Sequence, residues 1–287
     1  MRRLDDAVFP SVAALDEEGV PQPHALLFLG TGLGAHLPKA LQGAMRFELG
    51  ELEGAPEAWR EEVLHAGRIG RTAVWIIEDA PGGLEFGEGG EPPWAAAWPI
   101  WLAAAAGAMV LVHTSAGTAL AAAGAPPPRS LAVLTDHINL SGATPLLGLG
   151  ETRLGPLFPD QTRLHRAALR QLAQRAARER GIPLHEAIAA CTLGPASTTP
   201  AELRWLASTG AHVAVQRLAD PLLAAAHASL ATLALVGITD RGDERLAMEE
   251  LVHRAELVAP ALEDLVLAVA PELGPLAERL RDEEGHE

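Results

Sequence analysis

The glycine-rich stretch Gly30-Thr31-Gly32-Leu33-Gly34 is the first place where residue types suggest chemistry. It follows the apolar run Ala25-Leu26-Leu27-Phe28-Leu29, so the glycines fall where a buried strand turns sharply. Backbone N–H groups in such a turn, together with the Thr31 hydroxyl, suit a small anion such as phosphate. The Gly-Lys-Ser/Thr ending of a P-loop is absent, and a plain turn is the competing reading. Small polar clusters also follow His113, Leu193 and Ile238. Asp240, in the last of these, either serves a ligand or caps the turn before Arg241-Gly242-Asp243. His65, His113, His165, His212 and His227 have no metal-ligand spacing, and no metal site is expected. Cys191 is the only cysteine, which excludes an intrachain disulfide and a cysteine-based metal site.

The elements that must position these residues alternate along the chain. Strands are expected at residues 25–29, 71–77, 109–113, 131–135, 187–193, 213–215 and 232–238. The polar clusters are read as loops after these strands. Helices are expected at 94–107, 161–180, 200–208, 221–230 and 248–269, with Pro260 inside the last. Thr199 is the expected N-cap and Pro200 the first residue of the third helix. Gly181 should stop the second. The alternation implies an α/β fold: one domain with a central mixed, mostly parallel β-sheet flanked by α-helices. Sheets of that type bind ligands at the carboxyl ends of their strands. The expected division is an N-terminal segment at 1–24, the domain at 25–275 and an acidic tail at 276–287.

Composition narrows the function classes. The chain has 287 residues, 48% of them hydrophobic, enough for a sizeable core. Aromatic content is only 4%, so a core of Ala, Leu and Val is expected. A net charge of −15 disfavours a nucleic-acid backbone or an anionic membrane as partner. No apolar run suits a signal peptide or a spanning helix, and the lone cysteine fits a reducing cytoplasm.

Further motifs give the pattern a family. Asp136-His137-Ile138-Asn139-Leu140, then Pro145-Leu146 and Gly148, resembles the Asp-His-Ile-Asn-Leu … Asn-Pro-Leu-x-Gly signature of trimeric purine nucleoside phosphorylases. Phe158-Pro159-Asp160, Gly194-Pro195 with Thr199, Ala201 and Glu202, Gly210-Ala211-His212 and Ile238-Thr239-Asp240 follow in the family's order. The resemblance, from about residue 25 to residue 240, implies phosphorolysis of a purine nucleoside to free base and pentose 1-phosphate. It implies phosphate as co-substrate, no cofactor and a homotrimer.

The resemblance also assigns residues. Thr31, Ser115 and Arg217 are the phosphate-binding candidates. Ala116, Gly117, Thr198, Gln216, Phe158 and Asp240 are the nucleoside-binding candidates, with Phe158 reaching a neighbouring subunit's sugar pocket. Asp240 is the catalytic candidate. It stands where the family's Asn contacts purine N7, and Asp there is the pattern of the adenine-preferring branch. Thr198 replaces the Glu that reads a 6-oxopurine, and Thr114-Ser115-Ala116-Gly117-Thr118 is closer to methylthioadenosine phosphorylases. The chain departs from the family at Glu78-Asp79-Ala80-Pro81, which takes the place of a phosphate-binding Gly-Arg-x-His. A carboxylate there repels phosphate. Arg217 is the expected substitute charge. A methylthioadenosine-type phosphorylase, a phosphate-independent nucleosidase and a non-catalytic paralogue are the alternatives.

Overall fold

Strands that are apolar on both faces must be covered on both sides, and the central strands here are of that kind. The computed structural model describes residues 3–30, 36–78, 90–194, 196–244 and 246–284, without the side chains of Met248 and Glu284. Its strands are β1 (Ala25–Leu29), β2 (Gln42–Glu48), β3 (Val63–Ile69), β4 (Thr72–Glu78), β5 (Val110–Ala119), β6 (Leu131–Asn139), β7 (Leu184–Thr192), β8 (Val213–Gln216) and β9 (Ala231–Arg241). They form one mixed sheet in the order β2-β3-β4-β1-β5-β8-β7-β6-β9. β5 also pairs with β9, so β5, β8, β7, β6 and β9 close into a ring. Parallel pairings outnumber antiparallel ones five to four among the described residues.

Side-chain alternation divides the core into two layers. Leu26, Phe28, Trp75, Ile77 and Leu111 point to one face, under α1 (Leu4–Glu17), α2 (Trp98–Ala105) and α5 (Ala219–His227). Ala25, Leu27, Leu29, Val74, Ile76 and Val112 point to the other, under α3 (Ala167–Arg180) and α6 (Met248–Glu284). The second layer is the aliphatic core that composition implies. The first is not, because five tryptophans, Trp59, Trp75, Trp94, Trp98 and Trp101, are buried there together. Four of their indole N–H groups have acceptors: Ala95 O for Trp59, Pro21 O for Trp75, Ala7 O for Trp98 and His227 Nδ1 for Trp101.

Several expectations shift. β5 does not end at His113 but runs to Ala119, and β6 runs to Asn139. The polar residues read as loops are therefore strand residues, because β9 and β7 supply ladder partners beyond the apolar run. α3 begins at Ala167 rather than residue 161, since Asp160 draws the Thr162 N–H and hydroxyl into a local turn. α4 (Pro200–Ser208) starts as expected, with Thr199 and Glu202 forming a capping box. Three elements carried too weak a pattern to be expected. β2 is a largely exposed strand with alternating partial burial, β3 is interrupted by Gly67, and α1 contains Pro10.

α6 continues past residue 269 to Glu284, through Pro271 and Pro275. Leu265, Val269, Leu273, Leu276 and Leu280 keep one face buried at helical spacing. Pro275 lacks the N–H that would close on Pro271 O. The buried Thr72 hydroxyl donates to that carbonyl at 2.9 Å, and its oxygen accepts from Gly274 N–H at 2.9 Å. A Cβ on Gly274 would lie 2.9 Å from the same oxygen, so glycine is what lets the helix approach β4. Thr72→Val takes from the Pro271 carbonyl the donor that stands in for the missing Pro275 N–H, and is expected to destabilise the protein by about 1–3 kcal/mol. Urea denaturation checks this: an unchanged midpoint would show that the bonds contribute nothing.

Candidate active site

β9 pairs along the whole of β5, whereas on the other edge β1 pairs only with Val110–His113 and β8 only with Thr118 and Ala119. Ladder registration pairs Gly117 with Ile238 but Thr118 with Asp240, so β9 carries one extra residue, Thr239. Such a bulge bends the strand and re-aims side chains that strict alternation would send to opposite faces. Here it brings two hydroxyls to one carboxylate. Thr118 Oγ1 donates to Asp240 Oδ1 at 3.1 Å, and Thr239 Oγ1 lies 2.6 Å from the same oxygen. Thr239 Oγ1 is also 3.2 Å from Gly117 O, but its single proton can serve only one acceptor, and the carboxylate is nearer. Asp240 and Thr239 are buried. Oδ2 of Asp240 has no hydrogen-bond partner among the described residues.

Ala116, in the middle of this strand, is exposed, and Ser115 and Thr118 are half-exposed. Among the described residues, Ala116 has a ladder partner on β9 alone, in the gap between the stretch that pairs with β1, Val110–His113, and the two residues that pair with β8, Thr118 and Ala119, and this gap is the opening of the cleft. Gly117 floors the cleft tightly. A Cβ there would meet Val236 Cγ1 at 2.8 Å and Ala214 O at 3.1 Å, so only glycine lets β8 and β9 close around β5.

β1 delivers Gly30 to the same edge. Gly30 N–H donates to Thr114 Oγ1 at 2.9 Å, and a Cβ on Gly30 would lie 2.8 Å from Thr114 O. Thr114 is fully buried, so its hydroxyl fastens Gly30 rather than facing a ligand. Thr31 lies outside the described residues. Ser115 Oγ is 3.2 Å from His113 Nδ1, and burial pushes the His113 ring down to about 4. That ring is neutral at pH 7, and its buried Nε2 has no partner among the described residues.

The carboxyl ends of β7 and β8 add a second wall. Gln216 Nε2 donates to Ala196 O at 3.0 Å, tying β8 to the segment that carries the half-buried Thr198. Gln216 packs over Gly194, where a Cβ would meet its Oε1 at 2.6 Å. Arg217 follows with φ +58°, and its N–H donates to Thr192 O at 2.8 Å. A non-glycine residue in the left-handed region is strained by about 1–2 kcal/mol. Asp220 lies close by: burial raises its carboxyl above the usual range, and the Arg217 charge works against that rise.

Phe158 stands on the surface, 87% exposed. Asp79 and Pro81 lie outside the described residues, but Glu78 ends β4 in register with Leu29. Burial first, then repulsion from Glu78 and Glu61, raises the Glu62 carboxyl. This rim is therefore acidic. Thr118, Thr239 and His113 were not singled out from the sequence as site residues. The Ile-Thr-Asp run marks Thr239, but only the bulge shows that its hydroxyl meets Asp240. Two surface hollows lie away from the cleft, one beside α1 and Trp75, the other between Asp160, Arg163 and Ser229.

Residues 26–271 match the model of the phosphorylase superfamily. Purine nucleoside phosphorylase 1 of Bacillus subtilis (strain 168) is 27% identical over 267 residues, 90% of this chain and 95% of its own. Purine nucleoside phosphorylase 1 of Geobacillus stearothermophilus is also 27% identical, over 88% of this chain and 92% of its own. The structure of Schistosoma mansoni purine nucleoside phosphorylase in complex with adenosine superposes with a TM-score of 0.83. It covers 95% of this chain and 99% of its own, at 20% identity. With its mixed sheet, ringed strands and cleft at the carboxyl ends of β5 and β9, the chain belongs to the phosphorylase superfamily.

Proposed function

We propose that the protein cleaves a purine nucleoside with phosphate, releasing the free base and a pentose 1-phosphate, and that it prefers an adenine-type base. The observation that carries this is the Asp240 carboxyl, held at Oδ1 by Thr118 and Thr239, with Oδ2 unpartnered among the described residues, two ladder positions from the exposed Ala116. The relatives named purine nucleoside phosphorylase support the reaction class. Adenine presents an acceptor, N7, beside a donor, the 6-amino group, whereas a 6-oxopurine presents two acceptors. A protonated carboxyl offers one donor and one acceptor, which matches adenine. Donation to N7 makes the base a better leaving group as the sugar becomes oxocarbenium-like. Thr198 and Gln216 wall the base side, and Ala116 and Gly117 floor it.

Phosphate is assigned to the turn of Gly30 and Thr31, to Ser115 and to Arg217. It is the nucleophile and also stabilises the developing positive charge. Phe158 completes a neighbouring protomer's sugar pocket in a homotrimer, which accounts for its exposure on one chain. The setting is a reducing cytoplasm, and none of the described helices is long and apolar enough to cross a membrane.

The acidic rim at Glu78 favours one second reading, a nucleosidase in which water replaces phosphate. Base release from inosine, guanosine, adenosine and methylthioadenosine, each with and without phosphate, separates the two. Phosphate-dependent release, faster from the adenine nucleosides, is expected. Release that ignores phosphate would establish the nucleosidase. A folded protein that releases no base would end both readings.

A further inference from the structure

The bulge in β6 builds a second polar cluster. The β6–β7 register slips between Leu134 and Asp136, and Asp136 Oδ1 accepts from the N–H of its neighbour His137 at 2.8 Å. His165 arrives from the segment before α3, 28 residues on. Its Nε2 lies 3.1 Å from His137 Nδ1. One ligand atom from each of Asp136, His137 and His165 lies within 4.8 Å of the others.

A tetrahedral ion with Zn–N bonds of about 2.0–2.1 Å holds two nitrogens roughly 3.3–3.4 Å apart. The two rings therefore already stand nearly as a pair of zinc ligands would. The cluster is open on the Asp136 side, which is exposed, and closed on the His165 side, which is 9% exposed. His165 Nδ1 is buried with no hydrogen-bond partner among the described residues, so Nε2 is the nitrogen this ring presents to the cluster. Gln161 hydrogen-bonds the His137 side chain, the kind of outer contact that orients a metal-binding imidazole.

We propose that Asp136, His137 and His165 form a binding site for a divalent transition-metal cation of the zinc class, with water completing the coordination. Two imidazoles and a carboxylate form a donor set that suits zinc. Each neutral ring keeps its one proton on the outward nitrogen, Nε2 of His137 and Nδ1 of His165, and the inward lone pairs bind the ion. Arg170 is an opposing charge near His165, and its Nε lies 3.7 Å from the Glu186 carboxylate, which offsets it. The ion ties the end of β6 to the segment between Phe158 and α3. This revises the expectation of no metal site, because no sequence spacing connects His137 with His165.

Calorimetric titration of the full chain with Zn2+ alone tests the site without reference to catalysis. One ion per chain is expected, with affinity lowered about tenfold or more in His165→Gln and in Asp136→Asn. Co2+ should give the intense visible bands of a four-coordinate ion in the unaltered protein and weak ones in both variants. If His165→Gln fails to fold, Asp136→Asn carries the test, since Asp136 is exposed. Absence of Zn2+ binding, or binding unchanged in Asp136→Asn, overturns the proposal.

Discussion

Asp240→Ala is expected to lower kcat/KM for an adenine nucleoside by about 10²–10⁴-fold, the range a positioned general acid supplies. The carboxyl is the one titratable group that the β9 bulge aims at the open strand residues of β5, and Thr118 and Thr239 hold it in a single orientation. Truncation also strips an acceptor from two part-buried or buried hydroxyls, at a cost of about 1–3 kcal/mol in stability. Asp240→Asn separates the two effects. The amide keeps an acceptor for the hydroxyls but cannot give up or take up a proton as the acid does. It offers donors to a 6-oxopurine, whose edge presents two acceptors. The ratio of kcat/KM for inosine over adenosine should therefore rise by about tenfold or more in Asp240→Asn, with an unaltered melting temperature. An Asp240→Ala enzyme that retains its rate within a factor of about three would remove Asp240 from catalysis.

Arg217→Gly is expected to raise KM for phosphate by about 10–100-fold, which corresponds to one lost hydrogen bond to a charged group of about 1.5–3 kcal/mol. The same change should leave stability within about 1 kcal/mol of the original, because glycine relieves the left-handed strain at φ +58° while loosening the unfolded chain. The loss of affinity thus cannot be ascribed to unfolding. The prediction follows from the charge distribution around the cleft. β4 ends in Glu78, a carboxylate that would repel a phosphate in the cleft, and Arg217 is a positive charge beside Asp220. A residue kept in a strained conformation at the end of a strand, where glycine would be easier, points to a role for its side chain. Steady-state kinetics with phosphate as the varied substrate gives the answer. An unchanged KM would transfer phosphate binding to the turn of Gly30 and Thr31 and to Ser115 alone.

The core elements were legible where local pattern and burial agree. β1 is a run of five apolar residues and is buried along its whole length. α4 announces itself through Thr199, Pro200 and Glu202, and these residues make the cap that their types suggest. β2, β3 and α1 were illegible because their stability comes from neighbours. β2 pairs with β3 alone and is largely exposed, while α1 buries Leu4, Ala7, Val8, Ser11 and Leu15 despite the proline within it. Tertiary contacts override weak local propensity in such segments.

The chain's residue order determined the family motifs, the alternation of strands and helices, and the identity of Asp240 as the residue to test. Residue types and their spacing along one strand are local facts, and these are local. Only the tertiary structure decided that Thr118 and Thr239 grip Asp240, that Thr114 is spent on fastening Gly30, and that His165 meets His137. Each of these depends on registration between strands distant in sequence, and on one extra residue in β9 and one in β6. A bulge changes which face a side chain takes without altering the hydrophobic pattern that a sequence displays, so it becomes visible only when the partner strand is in place.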